Sequence, residues 1–177
     1  GDWSSDMCSS DLKYYNSRKF KTILKYFIPK FDNVFDFYLS LGTFFYDKGY
    51  LSRSISSVDY YKVFLEFNDE HLNLDNKILK EIVKFDYLQF NKKKYMPNFL
   101  LRDPSKNFER YLKDSQRKGD IELPYMDYHL ENFKIDIIKF LDNGQISEGE
   151  FYLIFDMSEA ENITDISYFI NEEKTLK

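Results

Sequence analysis

Cysteine is almost missing from this chain: among 177 residues Cys8 is the one thiol. That excludes an internal disulfide framework, and equally a four-thiolate zinc or iron–sulfur site built within the chain. Histidine is nearly as scarce, with His71 and His129 alone, which leaves little for a metal site of any kind. The glycines Gly42, Gly49, Gly119, Gly144 and Gly149 are scattered, each where a turn or helix end needs one, so there is no phosphate-cradling loop. A Gly-x-Ser-x-Gly elbow and a His-Glu-x-x-His helix are also absent. No stretch approaches the roughly 18–20 uninterrupted apolar residues of a membrane helix. No catalytic, cofactor-binding or metal-ligating set can be assembled from what remains.

Aromatics are what the chain has in abundance. Phe (18) and Tyr (15) lift them to 19%, whereas Ala160 is the one alanine. Lys, Asn, Ile, Phe and Tyr have A/T-rich codons, so a biased genome accounts for the pattern. Large rings bury much apolar surface per residue, and a modest chain can build its core from them. Hydrophobic residues at 43% and charged ones at 31% fit a soluble globular domain, expected in the cytoplasm. The formal net charge of −5 hides a division. Residues 13–119 carry 21 Lys and Arg against 13 Asp and Glu, while residues 120–177 carry 4 against 14. Such a division means either a basic face for a polyanion or two lobes that attract each other, and the second needs no ligand.

Residues 1–12, Gly-Asp-Trp-Ser-Ser-Asp-Met-Cys-Ser-Ser-Asp-Leu, have no apolar period and no features of a signal peptide. They resemble a translated sequencing adapter. On that reading the protein's own sequence starts near Lys13, with a helical body over 13–119 and an acidic part with a β-hairpin and tail over 120–177.

The spacing of Phe20, Ile23, Leu24, Phe27 and Phe31 predicts a first helix, running to Ile28-Pro29. Asp32 or Asn33 caps a second, with Val34, Phe37, Tyr38, Leu41, Phe44 and Phe45 inward and Gly49 at its end. Ser56 or Ser57 caps a third, with Val58, Tyr61, Phe64 and Leu65 inward. Asp75 opens a fourth through Ile78, Leu79, Ile82, Val83, Tyr87 and Phe90, and Met96–Leu100 reads as loop. Pro104 starts a fifth that Gly119 stops. After Gly119 the period shortens: Phe133, Ile135 and Ile137 alternate with Lys134 and Asp136, and Glu150–Phe155 has strand length. An antiparallel pair turning at Asp142-Asn143-Gly144 follows, although Phe133, Ile137, Ile138 and Leu141 also fit a helix over 130–142. A short helix near 164–172 ends the acidic tail. The fold class expected is α+β: about five helices with a small antiparallel β unit near the C-terminus.

The strongest local charge feature is Lys92-Lys93-Lys94-Tyr95, followed by Arg102 and by Lys106, Arg110, Lys113, Arg117 and Lys118 of the fifth helix. Lysines beside an aromatic can hold phosphates and stack a base. Lysines at a helix C-terminus equally complement its dipole, and the acidic total argues against nucleic acid. Lys92, Lys93, Lys94, Arg102, Arg110 and Arg117 are therefore the candidate anion or docking surface. His71, after Asn68-Asp69-Glu70, reads as a surface or capping residue. His129 stands beside Tyr128 and Glu131, and an acid–base role for it lacks an evident partner.

Five stretches carry a family likeness: Lys13–Phe20, Tyr46–Tyr50 through Ser57–Tyr61, Phe85–Leu88, Met96–Leu100, and His129–Phe133 with Ile135–Ile138. Over residues 13–155 the chain resembles the uncharacterised C-terminal domain that follows the radical SAM core in bacterial cobalamin-binding radical SAM proteins. The resemblance implies a parent enzyme with a cobalamin-binding lobe and a partial barrel bearing an iron–sulfur cluster on a Cys-x-x-x-Cys-x-x-Cys loop, where S-adenosylmethionine is cleaved. Those two parts of the same chain are the implied partners, and cobalamin, cluster and S-adenosylmethionine belong to them. No such cysteine loop exists here, so the expected role is accessory rather than catalytic, with no membrane partner.

Overall fold

The structure is a computed structural model that describes residues 18–91, 96–100, 106–122, 128–156, 162–167 and 170. Helix α1 (Lys21–Phe27) lies between 3-10 turns at Arg18–Phe20 and Ile28–Lys30. Helices α2 (Val34–Asp47), α3 (Asp59–Phe67) and α4 (Asn76–Phe90) complete the body, and one π-turn, Asn68–Leu72, joins the last two. Then come α5 (Lys106–Arg117), β1 (Tyr128–Ile135), α6 (Ile137–Asn143), β2 (Glu148–Asp156) and β3 (Ile163–Asp165). The α+β expectation agrees with this: six α-helices among the described residues and a small three-stranded sheet, ordered β1-β2-β3 and antiparallel throughout.

Local chemistry explains the helix starts. The Asn33 side chain accepts the Asp36 N–H at 2.8 Å, Asp75 accepts from Lys77 at 2.9 Å, and the Ser56 hydroxyl accepts from Asp59 at 3.1 Å. Asn33→Ala is expected to lower stability by ~1 kcal/mol, the usual loss for an N-cap. Urea unfolding measures it, and an unchanged midpoint would show that tertiary packing alone holds α2.

The sixth helix lies in the segment that strand and helix patterns both claimed. Strand wins over 128–135 and helix over 137–143, because Asp136 intervenes and its side chain accepts the Lys139 N–H at 3.0 Å. Ile137 is therefore helical, and the Asp142-Asn143-Gly144 turn is a helix end with Gly144 at φ +74°. β1 and β2 do pair antiparallel, but through α6 rather than a tight hairpin. The helix expected near 164–172 gives way at its start to β3, with a helical bond from Ile170 N–H to the Ile166 carbonyl (3.2 Å) beyond it. Val34 is a further correction: it stands 50% exposed rather than inward, at the first position of α2, although its spacing is in phase with Phe37, Leu41 and Phe44.

The body's core is a ring cluster. Phe27 is fully buried, with centroids 5.9 Å from Phe37, 5.9 Å from Phe64 and 5.6 Å from Phe67. The sheet alternates as a two-faced sheet must. Phe133, Ile135, Leu153 and Phe155 join the body's core, while Tyr152 and Ile154 pack with Leu112 of α5, Ile166 and Ile170 on the far side. The sheet is thus a middle layer, and α4 is covered on nearly all sides.

Candidate functional site

Burying the run 81–88 of α4 on all sides takes three charged residues inside too. Glu81, Lys84 and Asp86 are all buried. Glu131 of β1 shares strand parity with Phe133 and Ile135, so it points into the same interior and is 2% exposed. Lys84 lies between two carboxylates: its ammonium is 3.4 Å from Glu81 Oε2 and 3.7 Å from Glu131 Oε1, and it donates to the Asn132 carbonyl at 2.6 Å. The face of Phe133 lies 4.5 Å below the same charge. Glu81 Oε2 also accepts the Lys134 N–H at 3.0 Å. His129, half-buried, meets Glu131 Oε2 at 2.6 Å, which supplies the partner that the sequence did not reveal. Glu131 Oε1 has no hydrogen bond among the described residues, so the Lys84 ammonium is its compensation.

Asp86 performs a second long-range task. The first turn of α1 has no side-chain cap of its own, and Asp86 Oδ2 accepts the Ile23 N–H from 63 residues away at 2.9 Å. A carboxylate there completes the orphaned amides and complements the helix dipole. Its fully buried carboxyl is pushed up to about 7, by burial above all, against the pull of the Thr22 and Ile23 hydrogen bonds and of Lys21.

The basic and acidic parts meet through Lys84–Glu131, and also through the exposed pair Lys77–Glu148 at 4.0 Å. Lys25 adds a hydrogen bond to the Leu141 carbonyl at 2.5 Å.

Of the basic surface, Lys92, Lys93, Lys94 and Arg102 lie outside the described residues. Arg110 and Arg117 stand seven positions apart on the solvent side of α5, both exposed, and Arg117 has Asp114 3.8 Å away on its own helix. His71 is exposed and stacks on Phe67 with centroids 5.0 Å apart, a packing role rather than a ligand's. Among the described residues no three His, Cys, Asp or Glu side chains gather to hold a metal, and no helix is long and apolar enough to cross a membrane. An iron–sulfur cluster does not fit this donor set, since Cys8 is the one thiol in the chain.

What the body does present outward is apolar. Phe35 is 71% and Leu39 43% exposed, one turn apart on α2, with Val34 beside them. These side chains face away from the ring cluster although the opposite side of the same helix is its wall.

A family model described as a protein of unknown function (DUF4080) covers residues 12–155. Neither the curated proteins nor the solved structures return a match.

Proposed function

This chain belongs to the DUF4080 family of proteins of unknown function, and from that membership we propose that it is a non-catalytic accessory domain. Its parent is a bacterial, cytoplasmic cobalamin-binding radical SAM enzyme, in which it follows the radical SAM core and packs on the barrel or shapes the substrate site. Iron–sulfur cluster, S-adenosylmethionine and cobalamin belong to the other two parts of that parent, which are its partners. Two things support the reading. One is the likeness of residues 13–155 to that C-terminal domain. The other, which carries it, is the outward apolar face at Val34, Phe35 and Leu39, a surface that gains by being covered. The buried ion network has a different place in this account: it ties sheet to helical body and makes one rigid unit to dock.

The test uses the intact gene. Deleting the region from Lys13 onward should reduce soluble yield, cluster retention and turnover, and Phe35→Ser with Leu39→Ser should reproduce the loss while the domain itself stays folded. Unchanged solubility, cluster content and turnover in both variants would overturn the proposal. A second reading, an anion or nucleic-acid binding module using Lys92, Lys93, Lys94 and the basic helix 104–118, has the exposed Arg110 and Arg117 in its favour. The carboxylate of Asp114 beside Arg117 weakens it.

A further inference from the structure

Between the loop that follows α2 and one side of α3 lies a cleft of about 290 Å³, at the lower end of the range for small-molecule sites. Four charged side chains line it: Arg53, Asp59, Lys62 and Glu66. Two of them answer each other, Lys62 Nζ standing 3.8 Å from Glu66 Oε1, and Glu66 accepts the Tyr50 hydroxyl as well. Burial first and Glu66 second push the Tyr50 phenol up to about 12, so it adds no charge near neutrality. The other two charges have no ionic partner among the described residues. The Arg53 guanidinium lies over the Tyr50 ring, 4.6 Å from its centroid, and its side chain also hydrogen-bonds the uncharged Tyr50 phenol. The Asp59 carboxylate accepts from a neutral donor, the Ser56 hydroxyl, at 2.7 Å. One cation and one anion, each with a neutral hydrogen-bond partner and no ion pair among the described residues, therefore line a single space whose apolar wall is Ile55 and Val63.

We infer that this cleft takes a small zwitterion, an α-amino acid with a branched apolar side chain: carboxylate on Arg53, ammonium on Asp59, hydrocarbon against Ile55 and Val63. A simple anion would leave Asp59 opposed to it and a simple cation would leave Arg53 so. A ligand with both charges satisfies both groups through charge-assisted bonds.

The experiment titrates the isotope-labelled chain with L-leucine, N-acetyl-L-leucine and L-leucinamide, reading amide shifts. Leucine should move residues 50–66 with a Kd in the ~1 mM range or tighter. Each blocked analogue should bind at least ~10-fold more weakly. Arg53→Gln should erase the advantage of leucine over leucinamide, and Asp59→Asn its advantage over the acetylated form. Both residues are exposed, so neither change threatens the fold. Equal binding of the three ligands, or no shifts in residues 50–66 at ~10 mM leucine, would overturn the inference. The outcome is independent of the accessory role proposed above.

Discussion

Lys84→Met is expected to destabilise the fold by ~3–5 kcal/mol, because it removes one member of a buried ion cluster and leaves the rest charged. The side chains of Lys84 and Glu131 are 4% and 1% exposed. Methionine fills much the same space and keeps the contact with Phe133, so packing is not the main loss. What is lost is the one cation shared by Glu81 and Glu131, together with the donor to the Asn132 carbonyl. In urea the midpoint should fall by on the order of 2 M at an ordinary denaturant slope. The same change made in a Glu131→Gln background should cost clearly less, since one of the stranded charges is then gone. Equal losses in the two backgrounds would mean that Lys84 and Glu131 are not coupled.

The second large effect is a pH dependence that originates at Asp86. Its folded-state carboxyl titrates at about 7, well above the ordinary value of 3.8. The folded chain therefore holds this proton more tightly than the unfolded chain does. Stability from this group is fully present below pH ~4 and is lost as pH rises to ~7. Asp86→Asn keeps an acceptor for the Ile23 N–H and has no proton to lose. Relative to wild type, the variant should gain stability by on the order of a few kcal/mol between pH ~4 and pH ~7.5. Taking the difference between the two proteins cancels the titration of the other carboxylates. Parallel stability curves would show that Asp86 stays ionised in the fold, held by α1 more strongly than burial opposes it.

Much of this architecture is legible in the residues, for identifiable reasons. Asn33, Ser56 and Asp75 are local caps whose partners lie two or three residues away, so a linear pattern contains the whole interaction. The strand parity of Phe133 and Ile135 likewise gives the buried face of β1. The failures share one cause: they depend on what a segment packs against. The apolar spacing of α4 picks out Ile78, Leu79, Ile82, Val83, Tyr87 and Phe90 and is silent on Glu81, Lys84 and Asp86, which are buried because the run 81–88 has no wet side. A signal for Glu131 did exist, since it falls in phase with Phe133 and Ile135 and is the charged member of an apolar face. His129 falls in phase with it too, and this is what would have named its partner. For the basic surface, four of the six residues, Lys92, Lys93, Lys94 and Arg102, lie outside the described part, and Arg110 and Arg117 are brought to no common site with any of the buried groups.

The bonds that α4 makes to β1 also have a meaning for assembly. In the order β1-β2-β3, β1 is an outermost strand, and such a strand offers its backbone to any extended chain that drifts alongside. Here Lys84 donates to the Asn132 carbonyl and Glu81 accepts the Lys134 N–H, so one donor and one acceptor from side chains occupy the positions a fourth strand would use. Growth is thereby blocked over the Asn132–Lys134 part of that border, which works against fibre-like stacking. A visiting protein must therefore engage this domain through side-chain surfaces such as the outer flank of α2 and not by lending it a strand at β1.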